Sequence, residues 1–552
     1  MINVIPNPMY VLEKEGMVVF KSDTKVAFDK ELKSVEEFFK RAFDQVTECE
    51  ILTADSLSEA NIRFIYAGGL DAEEYVMDIT AEGITVKAAT HSGGIYAVET
   101  LKQIFHTYTT KGARTLSAPV VKIKDKPRFS WRGILLDVAR HFFDKEEVKR
   151  ILDVMLLHKL NVLHLHLTDD QGWRLEVKKY PLLTEIGSKR KWTHINGWNS
   201  TNPYIDILKE EHSGYYTQED IKELVEYAKE RGISIVPEID MPAHFRAALA
   251  AYPDLACDEN IVRDVPWFFG GGFADYAYGD KDDLKRIACA GKESTYTFIE
   301  DIIDEVAELF PSPYFHIGGD EAPKDEWKKC YYCQEKMKEN GLKDEEELQG
   351  YFNNRISEML AKRGKTLIVW NEALAGGNLD PSTIGQYWTP ARDKNAEDYV
   401  NVKGGKLIMS KHQAFYFDMS YAQVPLRNTY AFDLTEQNIQ PDGVRNILGV
   451  EGTLWSEWIA DREKLEFNSH PRMAALSETG WTPTARKNYK DFMLRLQGMK
   501  KAYDALGIRY ACDKVADPKN PIKKAKEIKI WYKKDQHHEL KVDRELREKG
   551  EK

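Results

Sequence analysis

The sequence predicts an α/β protein whose main unit is a (β/α)8 TIM barrel, preceded by a small α/β domain. From Trp131 onward, about eight apolar runs alternate with helical patterns, as the repeating units of such a barrel do. The runs are nearly continuous in Val, Ile and Leu, as in NVLHLHL (161–167), which is typical of parallel strands buried on both faces. No GxGxxG motif follows the first run, which disfavours an open dinucleotide-binding sheet.

We predict three segments along the chain. A small α/β domain covers residues 1–125, the barrel covers 126–485, and a helical extension covers 486–552. The KDKPRFSW stretch around Pro127 marks the first boundary, because proline interrupts regular structure. The last segment is strongly charged and carries helical patterns. We therefore expect it to pack on the barrel, to fray towards its end and to carry no chemistry.

The first segment contains a predicted hairpin and a predicted helix. YVMDIT (75–80) and ITVKAAT (84–90) alternate in the manner of half-buried strands, and a short turn containing Gly83 joins them. Residues 93–105 then show apolar side chains on one helical face. This mixture indicates a unit with its own small core.

Overall composition excludes several classes of function. The 552-residue chain has 42% hydrophobic and 30% charged residues, which is normal for a globular protein. Its net charge of -11 argues against nucleic acid or an anionic membrane as the main partner. No stretch approaches the ~20 apolar residues of a membrane span. The first residues, MINVIPNPMYVLEKEG, lack a signal-peptide pattern, so a cytoplasmic location is expected, with a secreted mature form as the alternative.

The six cysteines are too sparse for a disulfide scaffold. Cys330 and Cys333 form a CxxC motif, but the sequence contains no second CxxC that would complete a tetrahedral zinc site. We therefore expect a local disulfide or two free thiols there, and no bound metal or organic cofactor.

Polar and aromatic residues follow the predicted strands at the end where a TIM barrel places its active site. Each has a structural alternative, because an acid after a strand is often a helix N-cap and a Trp usually belongs to the core. Their joint placement at one end of the barrel instead indicates a functional site. In chain order they are Asp169 and Asp170; Glu238, Asp240 and His244; Asp320 and Glu321; Trp370, Asn371 and Glu372; Trp388; and Trp455 and Glu457.

Acids combined with several Trp point to a carbohydrate ligand. Apolar faces of sugar rings stack on Trp, and a carboxyl with a raised pKa can protonate a glycosidic oxygen. The sequence has no GxSxG, P-loop or HExxH motif, which argues against acyl transfer, phosphoryl transfer and zinc-dependent hydrolysis.

The YFHIGGDEAP segment (314–323) places Asp320 and Glu321 side by side after two glycines. A retaining glycosidase normally holds its carboxyls about 5 Å apart on opposite sides of the scissile bond, which neighbouring residues cannot easily do. A substrate whose 2-acetamido oxygen attacks the anomeric carbon removes this requirement. One carboxylate would then stabilise the charge on the amide, and the other would protonate the leaving group. Gly318 and Gly319 permit the sharp turn that aims both side chains inward.

In these motifs the chain resembles the β-N-acetylhexosaminidases of glycoside hydrolase family 20. HIGGDE (316–321) matches the family's signature. Other blocks are similar to the family's in the same order along the chain: FSWRGILLDVARHF, KLNVLHLHLTDDQGWR, PEIDMPAH, VWNEA, FYFDMS and GTLWSEW. The resemblance covers most of the chain and implies a small α/β domain followed by a barrel from about Trp131 to Trp481.

The resemblance also implies catalytic roles for single residues. Glu321 resembles the general acid/base, and Asp320 resembles the carboxylate that positions the acetamido group. His244 is expected to bond Glu321, and Asp169 to bond His244, which would tune the pKa of the acid. Tyr416 resembles the phenol that donates to the acetamide oxygen.

Six further residues resemble the family's substrate-binding groups. The aromatic box around the acetamido methyl and the sugar face would be Trp370, Trp388 and Trp455, and the hydroxyls would be held by Arg132, Asp418 and Glu457. The strand pattern, however, puts Arg132 at the start of the first barrel strand, at the end opposite the site. We interpret four other conspicuous residues as structural ion-pairing groups: Asp137, Arg140, His141 and Glu372.

The resemblance implies an exo-acting hydrolase that removes terminal β-linked N-acetylglucosamine or N-acetylgalactosamine with retention, through an oxazolinium intermediate. Its substrates would be oligosaccharides, glycoconjugates or glycolipids that end in such a sugar. Two alternatives stay open: a lacto-N-biosidase-like enzyme that releases a disaccharide, and a non-catalytic carbohydrate-binding barrel. Product analysis on a tetrasaccharide separates the first, and sugar binding without turnover would indicate the second.

Overall fold

The structure is a computed structural model of the 552-residue chain. It describes every residue except 1, 45, 47–48, 110–113, 196–205, 259–263, 270–286, 391–392, 435–436, 534 and 551–552. The described residues form an N-terminal sheet domain, a barrel and a set of C-terminal helices.

The N-terminal domain is a mixed sheet with helices packed against it. Its strands are β1 (Tyr10–Phe20), β2 (Lys25–Phe28), β3 (Leu52–Thr53), β4 (Ile62–Tyr66), β5 (Tyr75–Thr80), β6 (Gly83–Ala88) and β7 (Leu116–Asp125), and its helices are Glu36–Asp44 and His91–Tyr108. The strand order is β1-β7-β5-β6-β4-β2-β3. The predicted hairpin is confirmed, since β5 and β6 pair antiparallel with Thr80 opposite Gly83. The predicted helix is confirmed too, with Ile95 and Leu101 fully buried.

Eight parallel strands form a closed barrel, which confirms the predicted fold class. The strands are β8 (Trp131–Asp137), β9 (Val162–Asp169), β10 (Ser234–Ile239), β11 (Tyr314–His316), β12 (Thr366–Trp370), β13 (Ile384–Tyr387), β14 (Lys406–Met409) and β15 (Ile447–Leu454). Strand β8 pairs in parallel with both β9 and β15, which closes the ring. Because every strand has a neighbour on both edges, the barrel leaves no unpaired strand edge.

Helices cover the outside of the barrel. The main ones are Lys145–Leu157, Gln218–Glu230, Glu293–Leu309, Glu345–Ala361, Asp393–Asn401, Leu426–Ala431 and Arg472–Trp481, and others are Arg246–Ala251, Asp325–Lys329, Tyr331–Glu339 and Arg462–Ser469. Polar caps set the starts of the first two: Asp144 accepts from two N–H groups of Lys145–Leu157, and Thr217 and Asp220 form a capping box at the start of Gln218–Glu230. Each connection between consecutive barrel strands contains an α-helix, except the connection from β12 to β13. There, residues 371–383 contain one 3-10 turn instead.

Buried ionic contacts join the start of the barrel to the N-terminal domain. Asp125, the last residue of β7, accepts hydrogen bonds from Trp481 Nε1 at 2.7 Å and from Lys159 Nζ at 3.1 Å. Tyr75 donates its hydroxyl to the same carboxylate at 2.7 Å. The Asp125 and Lys159 side chains are both fully buried, so the two units share one satisfied polar network.

Arg132 belongs to this interface, which corrects its predicted role in substrate binding. Its guanidinium is fully buried, pairs with Glu73 of the N-terminal domain at 2.5 Å and lies 5.1 Å from the centre of the Trp481 ring. Its other N–H groups donate to the backbone oxygens of Phe129 and Lys159. The physical reason is position, because Arg132 is the second residue of β8 and lies at the N-terminal end of the barrel.

The C-terminal extension is helical, as predicted; residues 551–552 lie outside the described residues, so fraying at the end stays a prediction. After Tyr489–Leu506, the helices Pro521–Lys533 and His538–Glu548 follow. A partly buried ion pair joins two parts of the extension, Asp543 and Arg509, at 2.6 Å. Among all the helices that the structure describes, none combines the length and apolar character needed to cross a membrane.

The extension also contacts segments that follow the barrel strands. Glu539 accepts hydrogen bonds from the backbone N–H groups of Tyr421 and Ala422 at 2.7 and 3.0 Å. Trp531 packs on Trp458 with ring centroids 4.4 Å apart. The last helices therefore support loops at the C-terminal end of the barrel.

Candidate active site

A cavity of about 310 Å³ opens at the C-terminal ends of the barrel strands. Carboxylates, imidazoles and aromatic rings line it, as expected from the acids and Trp residues that end the predicted strands. Of the eleven residues that were assigned catalytic or substrate-binding roles, all line the cavity except Arg132 and Trp370. Those that the structure brings together are Asp169, His244, Asp320, Glu321, Trp388, Tyr416, Asp418, Trp455 and Glu457. Four other polar residues at the predicted strand ends do not line the cavity: Glu238, Asp240, Asn371 and Glu372.

The chain turns sharply between β11 and the two adjacent carboxylates. Gly318 and Gly319 have φ values of 68° and 90°, in the left-handed region that favours glycine. A Cβ atom on Gly318 would lie 1.8 Å from Asp240 Oδ1, so only glycine fits there. Glu321 itself has φ 46°, a conformation that costs a non-glycine residue about 1–3 kcal/mol. The predicted turn is confirmed, and the strain at Glu321 requires the surrounding structure to hold it in place.

His244 lies between the carboxylates. Its Nε2 is 3.6 Å from Glu321 Oε2 and 3.8 Å from Asp320 Oδ2. Its Nδ1 is 3.3 Å from Asp169 Oδ1. Burial favours the neutral ring, but the charge of Asp169 and the hydrogen bond to it raise the pKa of His244 well above its usual value. The ring is therefore an imidazolium that faces the two neighbouring acids.

Asp169 is held as a carboxylate. Burial alone would raise its pKa, but the charges of Arg140 and His244 outweigh this effect and lower the pKa well below its ordinary value. Arg140 Nη2 lies 2.7 Å from Asp169 Oδ2, and His166 Nε2 lies 3.0 Å from the same oxygen. Asp169 thus keeps His244 oriented and protonated.

Asp320 and Glu321 differ in exposure and in pKa. The Asp320 side chain is 14% exposed, and burial raises its pKa to about 7, against the charge of His244 and with a contribution from Glu321. The Glu321 side chain is 61% exposed, and its close contact with the His244 imidazolium lowers its pKa. Without a ligand, the pair therefore keeps its proton on Asp320 below about pH 7. A ligand that covers Glu321 would remove its water and shift the proton towards it.

Aromatic rings form another part of the lining. Trp388 and Tyr416 stack with ring centroids 5.9 Å apart, and Tyr416 lies 6.4 Å from Trp455. Burial and the nearby charges of Asp418 and Asp320 raise the pKa of Tyr416 well above its usual value. Tyr416 therefore remains a phenol that can donate its O–H to a ligand.

Trp370 lies beneath the lining, which corrects its predicted contact with the sugar. Its side chain is 1% exposed, and its Nε1 donates to Glu238 at 2.9 Å. Its ring centroid lies 5.8 Å from that of Trp455. Because Trp370 ends β12 inside the barrel, it supports a lining residue instead of facing the ligand.

Several buried polar atoms of the cavity make no hydrogen bond of good geometry with the described part of the chain. They are both carboxylate oxygens of Asp418, Oδ1 of Asp320, Nε1 of Trp388 and Nε2 of His244. Burial raises the pKa of Asp418 well above its usual value, although backbone N–H groups lie nearby. Burial also raises the pKa of Glu457 to about 7, against the charge of Arg140. Such groups suit a ligand with many hydroxyls, which would complete their hydrogen bonds.

Arg140 contributes a guanidinium to the cavity lining, and its interpretation as purely structural is incomplete. It pairs with Asp137 at 3.1 Å and with Asp169 at 2.7 Å, and it also lines the cavity. Its guanidinium lies 5.2 Å from the centre of the Trp455 ring. Position in the strand could have identified it, because Arg140 follows the end of β8 whereas Arg132 begins that strand.

Sequence analysis missed other lining residues. Asp170 was noted after its strand but given no role, and Gln171, His412, Met419 and Trp458 were not singled out. Pro266 and Phe268 come from a stretch between β10 and β11 that shows no strand or helix periodicity. Residues of this kind reach the cavity through loop geometry, for which a single sequence carries no signal.

Below the cavity, buried histidines surround one carboxylate. Glu238 accepts hydrogen bonds from Trp370 and His166, and it pairs with His316 at 3.0 Å and His164 at 3.1 Å. These residue types can ligate a metal, but the Glu238 oxygens are already engaged. We interpret the cluster as a hydrogen-bond network that fixes His166 and, through it, Asp169.

Neighbouring carboxylates, an imidazolium and stacked aromatic rings at this end of a TIM barrel define a glycoside hydrolase domain. Residues 129–484 match the family model described as glycosyl hydrolase family 20, catalytic domain. Residues 1–126 match the model for domain 2 of the same family. The chain therefore belongs to glycosyl hydrolase family 20.

Individual relatives agree with the family. The chain is 37% identical over 530 residues to a beta-hexosaminidase from Porphyromonas gingivalis, covering 92% of this chain and 64% of the relative. It is 34% identical to a beta-hexosaminidase from Vibrio furnissii, covering 74% of this chain and 66% of the relative. The chain thus spans just under two thirds of the length of these relatives. A solved structure of a GH20 exo beta-N-acetylglucosaminidase from Vibrio harveyi, in complex with N-acetylglucosamine, is similar with a TM-score of 0.79 and 30% identity, covering 92% of this chain and 78% of that chain.

Proposed function

We propose that this chain is an exo-acting β-N-acetylhexosaminidase that removes terminal β-linked N-acetylglucosamine or N-acetylgalactosamine from glycans, glycoconjugates or glycolipids. The names of the relatives from Porphyromonas gingivalis and Vibrio furnissii support the activity, and the sugar bound to the Vibrio harveyi enzyme supports the substrate class. The cavity supports exo action, because about 310 Å³ is at the small end of ligand pockets and suits one terminal sugar.

We further propose that the substrate supplies its own nucleophile, with retention of configuration. One observation carries this proposal: Asp320 and Glu321 both approach the same nitrogen, His244 Nε2, at 3.8 and 3.6 Å. Two carboxylates that share one imidazole nitrogen lie on the same side of the site. They are badly placed to straddle a glycosidic bond from opposite faces, as a covalent double displacement requires.

In the proposed first step, the carbonyl oxygen of the 2-acetamido group attacks C1, and the glycosidic bond breaks. Tyr416 donates its O–H to that carbonyl oxygen and positions it. Asp320, as a carboxylate, accepts the amide N–H and stabilises the positive charge of the oxazolinium ion. Glu321 gives its proton to the departing oxygen. The His244 imidazolium then stabilises the Glu321 carboxylate that this transfer leaves behind.

In the proposed second step, Glu321 removes a proton from water, which attacks C1 and opens the oxazolinium ring. The sugar leaves with its original configuration because C1 is inverted twice. Glu321 is protonated again at the end, so the cycle needs no external acid. The unpaired oxygens of Asp418 would hold sugar hydroxyls through both steps.

The test is hydrolysis of aryl β-glycosides whose acetamido group carries zero to three fluorine atoms. Fluorine withdraws electrons from the carbonyl, so we expect kcat/KM to fall steeply with each substitution and a plain aryl β-glucoside to be nearly inert. A thiazoline analogue of the cyclised intermediate should inhibit. Rates that ignore fluorination, or a covalent bond between C1 and a side chain, would refute substrate assistance while leaving the hexosaminidase activity intact.

A tetrasaccharide ending in β-N-acetylglucosamine tests exo action. We expect the monosaccharide as the first product by mass spectrometry, and proton NMR should detect the β-anomer first. Release of a disaccharide would instead support the lacto-N-biosidase alternative.

A further inference from the structure

Four cysteines from distant parts of the chain meet at one point beside the active site. Cys257, Cys289, Cys330 and Cys333 place their sulfur atoms within 4.8 Å of one another. Cys289 Sγ lies 3.7 Å from Cys330 Sγ and 3.7 Å from Cys333 Sγ, and Cys257 Sγ lies 3.8 Å from Cys333 Sγ. None of the four is in a disulfide.

These distances match the edges of a metal-centred tetrahedron. A disulfide would bring two sulfurs to about 2.05 Å. A tetrahedral zinc ion has Zn–S bonds of about 2.3 Å, which puts its sulfur ligands about 3.8 Å apart. Sulfur–sulfur separations of 3.7 and 3.8 Å therefore enclose a single ion and leave no room for an iron–sulfur cluster.

The chain builds this arrangement from three segments. Ala256 and Ala288 form an isolated antiparallel bridge, which brings the adjacent Cys257 and Cys289 together. Cys330 is the N-cap of the helix Tyr331–Glu339, so the third and fourth thiols lie in its first turn.

Further contacts lock the segments together. Trp327 Nε1 donates to the backbone oxygen of Ala288 at 2.9 Å. A Cβ atom on Gly291 would lie 2.2 Å from the carbonyl carbon of Tyr332, so only glycine permits this packing. Lys292 Nζ donates to the backbone oxygens of Asp254 and Ala256 and places a positive charge next to Cys257. Three of the four thiols are buried, as in a closed structural site.

We propose that Cys257, Cys289, Cys330 and Cys333 bind one Zn²⁺ ion in a structural tetrathiolate site. All four ligands come from the protein, so the ion has no open position for substrate or water and takes no part in the chemistry. The CxxC motif at Cys330 supplies half of the site. The other half has no motif, because Cys257 and Cys289 are far apart in the chain and meet only through the folded bridge.

The ion would tie together the loop that carries His244 and the loop that carries Asp320 and Glu321. Ala288, next to Cys289, donates its N–H to Pro242, two residues before His244. Trp327 and Cys330 follow Asp320 and Glu321 on the other loop. Pro266 and Phe268, which line the cavity, lie on the stretch that begins at Cys257 and ends at Cys289. The zinc site would therefore fix the base of three parts of the active-site wall.

The direct test is the metal content of the full-length protein, purified without chelators and without a metal-affinity step. We expect one equivalent of zinc per chain by inductively coupled plasma mass spectrometry. A mercurial that caps thiolates should release that equivalent, followed with a colorimetric zinc indicator. X-ray absorption at the zinc edge should give sulfur ligands only, at about 2.3 Å.

Variants locate the site. Cys330→Ser and Cys289→Ser should each lower the affinity for zinc more than about tenfold, because even the loss of a residue that only hydrogen-bonds a ligand lowers metal affinity 10–100-fold. Cys49→Ser and Cys512→Ser are matched controls, because both thiols are buried, form no disulfide and lie outside the cluster, and these variants should retain the full equivalent. If the cluster variants do not fold, the metal content and X-ray absorption spectrum of the wild-type protein still test whether zinc is bound by four thiolates.

Three results would overturn the proposal. One is wild-type protein that lacks zinc after growth in zinc-supplemented medium while all six thiols react with a thiol reagent in denaturant. Another is iron in place of zinc, visible as a coloured protein. The third is an intact mass that is lower than that of the fully reduced chain by four hydrogen atoms, because two disulfides would account for that loss. None of these results bears on the proposed glycosidase activity, which is assayed separately.

Discussion

The barrel buries an arginine, an acid and a tryptophan at each of its ends, and the two groups differ in how fully they are paired. At the N-terminal end, Arg132 pairs with Glu73 at 2.5 Å and lies 5.1 Å from the Trp481 ring centre. At the C-terminal end, Arg140 pairs with Asp169 at 2.7 Å and lies 5.2 Å from the Trp455 ring centre. Measured by these contacts alone, the two groups look the same.

The difference lies in the surroundings. The Arg132 guanidinium donates to backbone oxygens and to the Glu73 carboxylate. Arg132 does not line the cavity. Around Arg140, the carboxylates of Asp418 and Asp320 carry oxygens without a well-formed hydrogen bond in the described residues. A closed network stabilises the fold, whereas incomplete pairing in a cavity favours a polar ligand. The two ends should therefore respond to mutation in opposite ways.

The largest expected effect is on catalysis at the C-terminal end. Asp320→Asn and Glu321→Gln should each lower kcat about 10²–10⁴-fold, the contribution of one positioned acid or base, with little change in the midpoint of thermal unfolding. Steady-state kinetics with an aryl β-N-acetylglucosaminide measures this. The matched control is Glu73→Gln at the other end, which should lower the unfolding midpoint and leave kcat/KM of the folded enzyme unchanged. A catalytic loss in the control would break the comparison.

The next largest effect separates the two arginines. Arg132→Met removes the buried partner of an ion pair and leaves the oxygens of Phe129 and Lys159 without their donor, which should cost about 1–3 kcal/mol in the free energy of unfolding while kcat/KM stays near wild type. Arg140→Met should destabilise the fold and also lower kcat/KM, because Asp169 would lose the charge that holds its pKa down. Denaturant unfolding and kinetics on the same preparations test this. Unimpaired activity in Arg140→Met would place both arginines in purely structural roles.

Arg132 and Arg140 also show which parts of the fold and site could be predicted from the sequence. Strand runs, the glycine turn and the acids that end the strands predicted the barrel and most of its cavity, because these features are local along the chain. The wrong assignment of Arg132 came from a family motif, even though the strand pattern had placed that residue at the other end. Trp370 was misplaced because the direction of a side chain at a strand end depends on its neighbours in the barrel.

Long-range contacts account for the remaining misses. Glu539 contacts a loop more than a hundred residues earlier in the chain, and Trp531 contacts one about seventy residues earlier. The sequence of the C-terminal extension alone does not indicate these contacts. The four cysteines meet for the same reason, since only the folded chain brings Cys257 and Cys289 beside Cys330 and Cys333.

The third prediction concerns pH. Because the pKa of Asp320 is raised to about 7, the Asp320–Glu321 pair keeps its shared proton below that pH and loses it above. The general acid needs that proton, so kcat/KM should fall about tenfold per pH unit above pH 7. The pKa of Glu457 is also about 7, so Glu457→Gln is the control. If the loss of activity persists in Glu457→Gln, the catalytic pair causes it; if it disappears, Glu457 does.

A smaller effect tests the unpaired carboxylate. Asp418→Asn should raise the free energy of unfolding by about 1–3 kcal/mol, since it removes a carboxyl whose ionised form is disfavoured by burial and whose oxygens receive no good hydrogen bond. The same change should lower kcat/KM, because the sugar loses an acceptor. Asp125→Asn at the other end is the matched control: its carboxylate is fully paired, so the change should destabilise the protein. Destabilisation by Asp418→Asn would show that its charge is already compensated.

The smallest expected effect concerns the C-terminal helices. It tests whether they stabilise the loop that carries Asp418. Glu539 accepts the N–H groups of Tyr421 and Ala422, three and four residues after Asp418. An amide in its place offers only one acceptor atom, so Glu539→Gln should cost about 1 kcal/mol of stability and raise KM more than it lowers kcat. Glu548→Gln, on the exposed end of the same helix, should change neither. An unchanged KM in Glu539→Gln would mean that the loop holds Asp418 without help from the tail.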